Sequence, residues 1–98
     1  MTIRIVKLSF KESQIEQFKN VFNESKMLIR NFEGCKMLHL LQDKVEPNVM
    51  FTYSIWRSEE DLERYRNSEL FKKTWAKTKP LFSAKAEAWS VNALETLN

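Results

Sequence analysis

Histidine is the residue type that exchanges a proton near neutral pH without help from its surroundings, and this chain has one, His39. That makes His39 the first candidate for a general base. Its neighbours Met37, Leu38, Leu40 and Leu41 are apolar, so it reads either as a base aimed into a pocket or as a structural or interface histidine, depending on which way its strand faces. Cys35 is the only cysteine. A thiol four residues from His39 lies two alternate strand positions away, too far for a direct hydrogen bond, so a Cys/His nucleophile pair is not assembled. No further ligands cluster around the two, so no metal site is expected, and Cys35 reads as a packed, inert thiol. No Ser-His-Asp set is apparent.

The other chemistry-bearing residues are aromatic. Tyr53, Trp56, Tyr65, Phe71, Trp75 and Trp89 suffice to line an apolar cavity for a flat ligand, with Arg4 or Tyr65 as a polar handle. Ordinary packing in the core or at an interface explains the same residues, and for Trp56 and Trp89 it is the plainer reading. One glycine, Gly34, rules out the Gly-rich loops through which dinucleotides and nucleoside triphosphates are held. Net charge is +3, with acids and bases interleaved. The lysines at 72, 73, 77, 79 and 85 fit a solvated helix face, and no nucleic-acid recognition pattern is found.

These residues need elements to position them. Ile3–Phe10 alternates as a strand, with Arg4, Val6, Leu8 and Phe10 on one face. Ser13 with Glu16 forms a capping box for a helix carrying Ile15, Phe18, Phe22, Ser25 and Ile29 through to Arg30. Gly34 supplies a turn at positive φ. Cys35–Gln42 is a second strand, placing Cys35, Met37, His39 and Leu41 together on one face. Asp43–Asn48 turns into a third strand, Val49–Trp56, so the pair forms an antiparallel hairpin. Ser58 and the acidic run Glu59–Asp61 start a second helix. That helix bends or restarts near Asn67 and Ser68 and stops before Pro80. Ala84–Val91 is the fourth strand.

The order βαββαβ folds with right-handed crossovers into one α+β domain over residues 1–98, ferredoxin-like, with a four-stranded antiparallel sheet and its helices on one side. The other sheet face keeps apolar residues and has no helix of its own. Such a patch marks an association surface, and a homodimer packed sheet to sheet is expected. The longest apolar runs are too short for a membrane span. A lone thiol and a start at Met1 without an apolar leader point to the cytoplasm.

The run SIWRSEEDLERYRNSELFKKTW, Ser54 to Trp75, resembles the antibiotic biosynthesis monooxygenase domain family, small dimeric α+β barrels. Trp56 at the end of the third strand, the cap at Ser58, Ser68 with Phe71 three residues on, and the FEGC turn from Phe32 to Cys35 carry the likeness. The resemblance implies a pocket between sheet and helices, with Tyr65 and Trp75 placed where related proteins hold their ligand. It also implies activities that include cofactor-free oxygenation of polycyclic aromatics, quinol oxidation and haem degradation. The haem degraders of that family use an Asn, a Trp and an iron-ligating His; the matching positions here look like Arg4, Tyr65 and Trp75, which departs from the pattern at all three.

Two readings follow. One is a cofactor-independent monooxygenase acting on a small aromatic or quinol-type compound, with His39 as base and Arg4, Tyr65, Phe71 and Trp75 binding the substrate. The other is a non-enzymatic dimeric protein of the same fold that holds a small ligand. Haem degradation ranks third.

Overall fold

The structure, a computed structural model, describes all 98 residues. Four strands, β1 (Thr2–Ser9), β2 (Cys35–Gln42), β3 (Val49–Trp56) and β4 (Glu87–Val91), form one antiparallel sheet in the order β2-β3-β1-β4. Three helices, α1 (Ile15–Arg30), α2 (Glu59–Arg66) and α3 (Glu69–Thr78), join them. No helix is long and apolar enough to cross a membrane. This is the ferredoxin-like arrangement expected from the element order, with the second helical region restarted at Ser68. Ser58 Oγ accepts from the Asp61 amide, and Ser68 Oγ accepts from the Phe71 amide. Each therefore satisfies an orphan donor of a first turn.

Two local expectations change. Ser13 does not cap α1. A 3₁₀ turn over Glu12–Gln14 takes up that segment, so α1 begins at Ile15 behind Gln14 with no side-chain cap. β4 begins at Glu87 rather than Ala84; before it the chain is tied to the end of β1 through a Phe10–Phe82 bridge and the Ser83 amide donating to the Ser9 carbonyl at 2.9 Å.

Register sorts the side chains into rows across the sheet. On the helix side run Leu38, Ser54, Arg4 and Ser90, then Leu40, Thr52, Val6 and Ala88. On the helix-free side run His39, Tyr53, Ile5 and Trp89, with Met37, Ile55, Ile3 and Val91 beside them. Cys35 breaks the parity expected of it. A bulge between Cys35 and Met37 inserts Lys36, and one extra residue moves everything before it to the other face. Cys35 is thus buried with Trp56 and Leu62 under the helices, while Met37 and His39 are exposed on the far side. Burial pushes the Cys35 thiol above its usual range, as suits a packed group.

The core has two centres. Phe10, fully buried, stacks on Phe18 with ring centroids 4.3 Å apart and packs with Leu8, Met50 and Leu81. Trp56, Cys35 and Leu62 form the other. Beside the second centre, Asp61 on α2 is 2% exposed and ionised. Arg57 holds it at 2.7 and 3.1 Å, and Arg64 reaches it at 2.6 Å. The Arg57 bonds, with help from Arg64 and Ser58, lower its carboxyl from 3.8 to about 2. A group whose pKa falls on folding stabilises the fold above its unfolded value and loses that contribution as pH drops toward its folded one. Melting temperature is therefore expected to fall as pH is taken from about 4 to about 2. Asp61→Asn should start lower at pH 7 and lose less across that window, as thermal melts at pH 7, 4, 3 and 2 would read.

Candidate functional site

A cavity of about 370 Å³ lies between the sheet and the helices. Its walls draw on both core centres, Leu8 and Phe18 from one and Trp56 and Leu62 from the other. Cross-strand pairing explains its shape. The floor nearest β4 carries Ala86 and Ala88, and short side chains there leave space that larger ones would fill.

A chain of aromatic contacts runs from the end of β3 along the helix side of the cavity to Phe82 just outside its lining. Trp56 stacks on Tyr65 at 5.0 Å and Tyr65 meets Phe71 edge-on at 5.3 Å. Phe71 stacks on Trp75 at 5.8 Å and 10°, and Trp75 meets Phe82 edge-on at 5.5 Å. All are within the range in which aromatic pairs attract beyond the area they bury. The spacing follows from the break at Ser68: Tyr65 is the aromatic of the inward stripe of α2, and Phe71 and Trp75, four apart, make the inward stripe of α3.

Arg4 is the polar feature of the floor. It sits between Ser54 and Ser90 in its row, and its Nη1 donates to Ser90 Oγ at 3.0 Å. No carboxylate lies within 4 Å of it, whereas Arg66, also in the lining, is paired with Glu63 at 2.7 Å. Burial and then the neighbouring charge of Arg66 lower the Arg4 guanidinium from its ordinary value, with Glu63 opposing. Tyr65 is raised, chiefly by burial, so its hydroxyl remains protonated at neutral pH and is available as a donor.

Four of the five residues singled out in the sequence therefore share one cavity: Arg4, Tyr65, Phe71 and Trp75. His39 is a correction. It points to the helix-free face beside Tyr53, with ring centroids 6.2 Å apart, and the sheet separates it from the cavity. The reason is period-two alternation: Leu38 takes the inward position on β2, so His39 cannot. The lining holds no carboxylate, lysine, imidazole, thiolate or thioether. The donor set thus offers no axial ligand of the nitrogen or sulfur kind for haem iron. No group of three His, Cys, Asp or Glu residues is placed to hold a metal ion.

Sequence reasoning missed Arg66; for Trp56 it favoured packing over cavity lining, and the residue does both, buried in the second core centre with one side on the cavity. The signal for Arg66 was present in the spacing of α2, where Leu62, Tyr65 and Arg66 stand at i, i+3 and i+4 on one stripe.

Comparison with known proteins adds the following. Residues 1–77 match the family described as Antibiotic biosynthesis monooxygenase. No curated protein matches the chain. Among solved structures, a candidate antibiotic biosynthesis monooxygenase from Nitrosomonas europaea superposes with a TM-score of 0.90 at 16% identity, over 97% of this chain and 100% of that one. A conserved protein from Methanosarcina mazei gives 0.87 at 21% identity, over 93% and 91%. One from Caulobacter crescentus, again a candidate monooxygenase of this kind, gives 0.89 at 20%, over 96% and 90%. At these identities the likeness speaks to fold.

Proposed function

The chain belongs to the antibiotic biosynthesis monooxygenase family, and from that premise we propose that it is a cofactor-independent monooxygenase acting on a small aromatic or quinol-type compound. The observation that carries the reading is the cavity itself. Its size falls near the lower end of the roughly 300–1,000 Å³ of small-molecule pockets, its walls are stacked aromatics, and its polar groups converge from Arg4, Tyr65 and Arg66. In this reading Phe71 and Trp75 hold the ring of the ligand, while Arg4 and Tyr65 engage its oxygen. The ionised phenol or enol passes electrons to dioxygen; one oxygen atom enters the product as a quinone carbonyl and the other leaves as water, a four-electron oxidation of the substrate.

Oxygen uptake with a panel of quinols and hydroxylated polycyclics tests this. Uptake above autoxidation is expected for at least one compound, with the mass of the product raised by one oxygen less two hydrogens. Trp75→Ala is expected to raise KM by up to about tenfold, the worth of a lost aromatic contact, and His39→Ala to leave the rate unchanged. Uptake indistinguishable from autoxidation across the panel would overturn the proposal. It would favour the second reading, a non-enzymatic ligand-holding protein, which the lack of a neutral-pH base in the lining supports.

We further propose that two copies associate through the helix-free sheet face. Met37, Leu41, Trp89 and Val91 are exposed there, and rows of aliphatic and aromatic side chains surround Ile5. In such a dimer His39 is an interface residue.

A further inference from the structure

We infer that the cationic end of the cavity, Arg4 backed by Arg66, is an oxyanion site that takes the ionised oxygen of a bound phenol or enol, so that the site acidifies its ligand instead of deprotonating it with a side-chain base. The inference rests on the functional reading above and deepens it.

Three observations carry it. The first is polarity along the cavity: Leu8, with Phe18 above it, marks an apolar end, while Ser54 and Arg4 line the other, Arg4 held by the Ser90 hydroxyl and close enough to Arg66 to feel its charge. A ligand seated along that axis needs a hydrophobic body and one polar edge. The second is charge. Two guanidiniums face one carboxylate, Glu63, which Arg66 already engages at 2.7 Å. Arg4 has only a neutral hydroxyl, so one positive charge at a partly desolvated position is left without a counter-ion. Such a charge costs free energy unless something anionic meets it. The third is the absence of a proton acceptor. The ionisable side chains in the lining are Arg4, Tyr65 and Arg66; none takes up a proton at neutral pH.

Two effects oppose each other here. An apolar cavity disfavours the charged form and raises the pKa of a bound phenol, whereas an opposite charge within about 4–6 Å lowers it by roughly 1–3 units. If the guanidiniums act as inferred, the second effect wins. The phenol proton passes to bulk water and the oxyanion remains against Arg4, with Tyr65 able to donate a second hydrogen bond. No redox step is needed for this binding, so it can be measured apart from turnover.

The experiment uses 2-naphthol, whose ionised form has its own absorption band, and 2-methoxynaphthalene as a neutral partner of similar shape. Both are titrated under argon, with tryptophan fluorescence reporting binding. Bound naphthol is expected to ionise about one pH unit or more below free naphthol. Arg4→Met should move its ionisation to or above the free value while binding of 2-methoxynaphthalene stays within about twofold. Arg4→Lys should keep most of the shift, and Arg66→Gln should give an intermediate value, since it also releases Glu63. If both compounds bind but bound naphthol ionises at or above the free value in the native protein, the oxyanion site is refuted and the ligand cavity stands. If neither compound binds, the cavity reading falls and this inference with it. A lowered ionisation that persists in Arg4→Met would refute the role of Arg4.

Discussion

Replacing Gly34 with alanine is expected to cost about 3 kcal/mol or more, combining a strained backbone with a steric clash in a packed turn. Gly34 has φ +89°, and a Cβ built on it would stand 2.5 Å from both Cβ and Cγ of Asp61. Neither position can yield cheaply. Asp61 Cβ is fixed by α2, and its carboxylate is held by Arg57 and Arg64. The carbonyl of Gly34 also accepts from the Arg57 amide at 2.8 Å, so the turn and the start of α2 are locked together. For a domain of this size the loss corresponds to a melting temperature lower by roughly 10 °C or more. Asparagine distinguishes the two causes. It tolerates positive φ better than alanine, so if backbone strain dominated it would be much the milder change. Because the clash with Asp61 is present for any Cβ, Gly34→Asn is expected to be as damaging as Gly34→Ala in parallel thermal melts. The same turn sets where β2 begins, and α2 carries Tyr65 and Arg66, so cavity binding should weaken in step.

Ile5→Glu is expected to convert the proposed dimer to monomer, weakening association by at least about 100-fold, or near 2.7 kcal/mol. Ile5 is central on the helix-free face, flanked by Tyr53 on β3 and Trp89 on β4. A carboxylate there would be desolvated in a sheet-to-sheet interface, and a buried unpaired charge costs several kcal/mol. In a monomer the same side chain would meet water, so the fold itself should persist. Sedimentation equilibrium of both proteins at micromolar concentration, with circular dichroism as the fold control, makes the test. A native protein that sediments as a monomer, or a variant that remains as dimeric as the native chain, would overturn the assignment of that face.

Much of this molecule can be read from the chain because local rules and global fold agree. Ile3–Phe10 and Val49–Trp56 alternate, α1 has its apolar stripe, and the lone glycine falls where φ must be positive. The placement of Arg4 beside Val6 and Leu8 on one face follows from period two alone. Tyr65, Phe71 and Trp75 were legible as residues but not as a wall. Their meeting depends on the break at Ser68, which aligns the inward stripes of two short helices.

What the sequence by itself determined is the element order, the hairpin, the sheet with helices on one side, and the residue types available to a pocket. Tertiary structure decided the direction of each face. Alternation states which residues share a side but not which side the helices cover, and that choice put Leu38 inward and His39 outward. A single-residue bulge at Lys36 sent Cys35 the opposite way from His39, a shift that no pattern of apolar residues announces. The charge at Arg4 was likewise visible from the start; that no carboxylate answers it emerged only when β1, β3 and β4 were laid side by side.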